Sequence, residues 1–102
     1  MPRPYSQKFI EGLEKDTHRV GVMLARECVK ANLPAKYVAK AMKVSRATVH
    51  NWFRGRILRD KHESMALAFI SLMKKDTHKG LLPVKSMKEA KEYIEDVIGE
   101  PI

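Results

Sequence analysis

A chain of 102 residues with 44% hydrophobic and 31% charged content has room for one small domain, residues 1–102, around a single core, and its composition excludes a disordered chain. No apolar run reaches the ~18 residues of a membrane-spanning helix. The opening Met-Pro-Arg-Pro-Tyr-Ser lacks the apolar stretch of an export signal, and a lone Cys28 cannot form a disulfide within the chain, so a cytoplasmic protein is expected. The net charge of +8 and isoelectric point near 9.8 point to a polyanionic partner.

Residues 1–5, with Pro2, Arg3 and Pro4, read as extended and loosely held, and a single Arg3 gives little support to a basic arm. Ser6 is placed to cap a short helix over Gln7–Lys15, with Phe9, Ile10 and Leu13 at helical spacing and Gly12 weakening it. Asp16 or Thr17 is expected to cap a longer helix reaching about Ala31, in which Val20, Leu24 and Cys28 line the core. In that register Cys28 is a packed small residue rather than a reactive thiol. Asn32 and Leu33 close the helix before Pro34.

The stretch 33–56 is the most informative. Pro34 suits the first helical position, and Ala35 to Met42 follow as a short helix with Val38, Ala39 and Met42 on one side. Ser45 is a good N-cap for a second helix to about Arg54, whose apolar face is Val49, Trp52 and Phe53. With only Lys43 and Val44 between them, the two helices must cross steeply and bury a shared corner of Val38, Met42, Val44, Val49 and Trp52. Ala39 faces the second helix at the closest approach, where a larger side chain would push the axes apart. Phe53 is open between loop cover and an interface.

Beyond the second helix, Gly55–Lys61 reads as a basic loop with Arg56, Arg59 and Lys61. Residues 62–75 form a helix so densely apolar, from Met65 to Met73, that more than one face must be covered, by the core or by a second subunit. Asp76–Gly80 is expected to break it, and Leu81, Leu82, Pro83 and Val84 to pack back onto the domain. Ser86 and Glu89 form a capping box for a last amphipathic helix spanning 86–99, whose exposed side is made acidic by Glu92, Glu95 and Asp96 and is kept from a polyanion. The tetrapeptide Lys-Asp-Thr-His at 15–18 and 75–78 is a coincidence of two polar helix boundaries, not a repeat.

These features make an all-α fold of about five helices, within a range of four to six. The stretch Ala35–Arg54 resembles the helix-turn-helix of the Cro and lambda-repressor (XRE-type) class. That pattern places aliphatic residues where this chain has Val38, Met42, Val44 and Val49, a small residue at Ala39, a serine at Ser45, and a Trp followed by a Gly at Trp52 and Gly55. Two positions depart from it. Lys43 stands where glycine is usual, at a left-handed backbone cost of roughly 1 kcal/mol, and Ala35 stands where a phosphate-binding glutamine is common, with Lys36 its substitute. The charge agrees: residues 35–62 carry Lys36, Lys40, Lys43, Arg46, Arg54, Arg56, Arg59 and Lys61 against Asp60 alone, a net +7 of the chain's +8.

The resemblance implies double-stranded DNA as partner, with Arg46, Ala47, His50 and Asn51 at base edges in the major groove. Lys36, Lys40, Lys43, Ser45, Thr48, Arg54, Arg56 and Arg59 would hold phosphates. It implies a small phage or prokaryotic transcriptional regulator, commonly a homodimer on a palindromic operator. Two other readings stay open: a DNA-binding module of a packaging or replication complex, and a protein or RNA adaptor using the same basic face. Enzymatic function is not expected. His18, His50, His62 and His78 lack metal-ligand spacing, one cysteine cannot build a zinc finger, no glycine loop cradles phosphate, and Glu92 and Asp96 read as a solvated face. No cofactor, metal or small-molecule substrate is expected.

Overall fold

Apolar spacing, capping hydroxyls and left-handed turns account for the helix limits in the computed structural model, which describes residues 5–13 and 19–102. Among those residues the chain is all-helical, with six helices, the upper end of the expected range: α1 Gln7–Leu13, α2 Val20–Ala31, α3 Ala35–Met42, α4 Arg46–Phe53, α5 Asp60–His78 and α6 Met87–Ile98. They fold into a globule 30 × 29 × 25 Å across. None of these helices is long and apolar enough to cross a membrane.

Three serines start helices as expected. Ser6 Oγ accepts from the Phe9 N–H at 3.2 Å, Ser45 Oγ from Thr48 at 3.1 Å and Ser86 Oγ from Glu89 at 3.1 Å, each satisfying an otherwise orphaned amide. The Glu89 carboxylate reaches back to the Lys85 N–H at 3.0 Å, so the box of α6 closes one residue earlier than the usual pattern. At the other ends the backbone turns left-handed, at Asn32 (φ 59°), Lys43 (φ 58°) and Gly55 (φ 102°) among others. The next amide then folds back onto the last turn: Leu33 to the Cys28 carbonyl at 3.0 Å, Val44 to Ala39 at 3.1 Å, Arg56 to Asn51 at 3.1 Å and Leu81 to Asp76 at 2.9 Å. At 32–34 and 43–45 this closure makes connections of only three residues feasible.

Several sequence expectations are corrected. The described part of α2 begins at Val20, with Arg19 in the N-cap position and extended; the Asp16 and Thr17 caps and the end of the expected 7–15 helix at Lys15 lie outside the described residues. Val20 is half-buried at the rim, whereas Leu24 and Cys28 are fully buried. Pro34 occupies the N-cap of α3, one position before the helix. α5 starts at Asp60 and runs through His78, so Lys61 is helical and Asp76 does not break the helix. Its first turn carries Asp60 and Glu63 and its last Lys75 and His78, charges that suit the helix dipole. Thr77 donates to the Met73 carbonyl at 2.8 Å, and the Tyr93 hydroxyl donates to the buried Asp76 carboxylate at 2.6 Å, so these polar side chains find partners without ending the helix.

The core is built on α2, which buries Val22, Leu24, Ala25, Cys28 and Ala31. α5 adds Ala66, Phe69, Ile70 and Met73, and α6 adds Ala90 and Ile94. The expectation that α5 covers more than one face is not met within the chain: Leu67 and Ala68 stay exposed, because the buried stripe follows a spacing of three and four on one side only. The 81–84 connection does pack back. Val84 donates to the Ala31 carbonyl at 3.0 Å, Asn32 Nδ2 donates to the Val84 carbonyl at 3.3 Å, and Leu82 and Val84 are buried, while Leu81 faces water.

Two predictions follow from this packing. Gly21 is buried where α2 meets α4, and a Cβ there would overlap the Trp52 carbonyl, a backbone group that cannot swing aside. Gly21→Ala should lower stability by more than about 2 kcal/mol in urea unfolding, whereas Gly12→Ala on α1, with open space around it, should raise it by about 0.5–1 kcal/mol. Burial pushes Tyr5, Cys28 and Tyr93 well above their ordinary ranges, the last helped by its hydrogen bond to Asp76. The unfolded chain therefore releases these protons first, so stability is full below about pH 9 and falls as pH rises further. Tyr93→Phe, measured by urea midpoints at pH 7 and pH 10, should lose stability at neutral pH and show a shallower alkaline decline.

Candidate nucleic-acid interface

The pair α3–α4 is joined by Lys43, Val44 and Ser45 alone. Val38, Met42, Val49 and Trp52 are buried in the corner between them, with Val44 half-buried at its edge, and Ala39 is buried, 5% exposed. On α4, burial takes positions 49, 52 and 53, which share one helical face. The opposite consequence is that Arg46 and Ala47 are exposed and His50 and Asn51 half-exposed, so the four expected base readers are not enclosed by the fold.

The expected phosphate-holding residues surround this face. Lys36, Lys40 and Lys43, at spacings of four and three, are exposed along α3, and Arg54, Arg56 and Arg59 are exposed beyond α4. Among the described residues none of them, nor Arg46, is held by a carboxylate. Lys36 lies over the Tyr37 ring, 4.9 Å from its centroid. Ser45 and Thr48 are less free: their hydroxyl oxygens are 2.9 Å apart and Ser45 also caps α4, so one hydroxyl proton of the two remains for another acceptor. A groove of about 280 Å³ brings Lys36 together with Arg46 and His50, walled by Tyr5, Pro34, Ala35 and Met87. Spacing along the chain does not reveal that meeting. Nor does it reveal that α6, through Met87, borders the basic face; its acidic Glu92 and Asp96 lie at least a turn further along.

Three contacts fix α4 from behind. The rings of Tyr5 and Phe9 stack at 5.5 Å and both lean on Phe53, at 6.1 and 6.2 Å, while the Tyr5 hydroxyl donates to the Leu33 carbonyl at 2.7 Å. Phe53 is therefore core, 2% exposed, and Tyr5, expected to be loosely held, is tied down by these contacts; residues 1–4 lie outside the described residues. Trp52 is also core, with its ring 5.3 Å from that of His62 on α5. Arg19, at the head of α2, donates through Nη1 to the Gly55 carbonyl and so holds the loop after α4. Neither Arg19 nor Gly21 stands out in the sequence as a residue that positions α4. A glycine inside an amphipathic helix was the available signal for Gly21, since it costs ~1 kcal/mol unless a close approach requires it; nothing local marked Arg19.

Among the described residues no three histidines, cysteines or carboxylates converge as a metal-binding group. In comparisons with known proteins, no family model, no curated protein and no solved structure matches the chain.

The turn itself yields a prediction. Lys43 adopts the left-handed conformation with a Cβ to accommodate, at a cost of about 1 kcal/mol. Lys43→Gly should raise the urea midpoint by an amount worth up to about 1 kcal/mol, and Lys43→Val, β-branched at the same φ, should lower it.

Proposed function

We propose that the chain is a sequence-specific double-stranded DNA-binding protein of the lambda-repressor-like helix-turn-helix type, acting as a small phage or prokaryotic transcriptional regulator, with α4 entering the major groove. The observation that carries this reading is the outward side of α4, where Arg46 and Ala47 are exposed and His50 and Asn51 half-exposed, between two groups of cations that no carboxylate neutralises among the described residues. An α-helix fits the major groove with its N-terminal residues at the base edges. Arg46 can donate two hydrogen bonds to guanine O6 and N7, Asn51 can pair with adenine N6 and N7, and the Ala47 methyl can meet a thymine methyl. Lys36, Lys40, Lys43, Arg54, Arg56 and Arg59 then supply the sequence-independent, salt-sensitive part of the affinity.

The resemblance adds a homodimer, each copy reading one half-site of a palindrome about one DNA turn apart. An unbiased duplex selection at physiological salt, followed by footprinting, reads the site and its symmetry together. No preference among duplexes would favour the adaptor reading, and rings larger than a dimer in light scattering would favour a packaging module. On the selected duplex, Arg46→Ala should cost roughly 1–3 kcal/mol and relax preference at one base pair, while Lys40→Ala should weaken all sequences alike and reduce the salt slope by about 1.

A further inference from the structure

Ile57 is 89% exposed, more than any other large hydrophobic residue described. A lone exposed aliphatic side chain is ordinary, but this one is presented by a loop whose backbone is held on both sides. Before it, Gly55 is buried and its carbonyl accepts from Arg19; after it, Leu58 is buried at 5% exposure and the Arg59 carbonyl accepts from the Glu63 N–H in the first turn of α5. The core thus grips the loop and leaves Ile57 outside, between the exposed guanidinium groups of Arg56 and Arg59, beside a groove lined by Arg19, Arg56 and Glu63.

We infer that Ile57 is an affinity-determining contact that packs on the deoxyribose rings of the backbone bordering the groove entered by α4. The inference rests on the duplex-binding reading above. The eight residues of α4 span about 12 Å, close to the ~12 Å width of the major groove. With Arg46 to Asn51 at the base edges, the end of α4 and the loop after it are carried out to the phosphate wall. That wall alternates anionic phosphates with apolar C–H faces of sugars. Arg54, Arg56 and Arg59 match the first, and Ile57 matches the second. Sugar faces are the same at every base pair, so the contact adds affinity without sequence preference, and it carries no charge, so it adds nothing to counterion release.

The test compares the full chain with Ile57→Ser, Ile57→Leu and Arg56→Ala, titrated by fluorescence anisotropy against the selected duplex and a random duplex of equal length at three salt concentrations. Ile57→Ser should weaken both duplexes by about five- to tenfold with the salt slope unchanged, Ile57→Leu should stay within about twofold, and Arg56→Ala should flatten the slope by about 1. The exposed position leaves folding intact, which circular dichroism checks. If Ile57→Ser binds like the unaltered chain while Arg56→Ala weakens, the sugar contact is wrong and duplex binding stands. Loss confined to one base pair, or a change in self-association by light scattering, likewise overturns it in favour of base reading or a second copy as occupant. Failure of the unaltered chain to bind either duplex overturns both readings.

Discussion

The distance between α2 and α4 at Gly21 is the constraint on which the rest depends. The Trp52 carbonyl sits where a side chain would otherwise stand, so α4 lies against α2 with no atoms between the backbones at that point. A helix of eight residues is marginal by itself in water; its order comes from this contact and from the burial of Val49, Trp52 and Phe53. Because the anchoring takes the face of Val49, Trp52 and Phe53, the face of Arg46, Ala47 and His50 is left towards solvent. Arg19, two residues before Gly21, holds the Gly55 carbonyl, so the start of α2 sets the position of α4 and of the loop that follows it.

Electrostatics explains what the packing leaves unfinished. Residues 35–62 concentrate a net +7 on one part of a small globule, and like charges this close repel one another. The apolar core beneath offsets that repulsion. A polyanion along the face would remove it, which is why the proposed partner relieves a cost built into the fold. The C-terminal region differs in kind: 63–102 carries a net −1, and α6 contributes Ala90 and Ile94 to the core and the Tyr93–Asp76 hydrogen bond that keeps α5 helical through its polar end.

Lys43 shows the two demands meeting in one residue. The three-residue turn needs a left-handed backbone there, so that the Val44 amide can reach the Ala39 carbonyl. Glycine would meet that need at lower cost, but it would bring no cation to the edge of α4. Asn32 solves the same geometric problem at the end of α2 with a side chain that tolerates the conformation, and then uses that side chain to tether Val84.

Sequence alone determined the limits of α3 and α4, the serine caps at Ser6, Ser45 and Ser86, the burial of Val38, Met42, Val49 and Trp52, and the charge gathered around them. Each of these follows from spacing or capping within one or two turns of chain, where the backbone's own geometry decides the outcome. Tertiary structure decided the rest: Phe53 as core against Tyr5 and Phe9, the extension of α5 through Asp76, the groove uniting Lys36 with Arg46 and His50, and Ile57 held out in water. Those outcomes turn on partners far away along the chain, such as Tyr5 with Leu33 or Arg19 with Gly55, and no local pattern of residue types records which distant group will arrive.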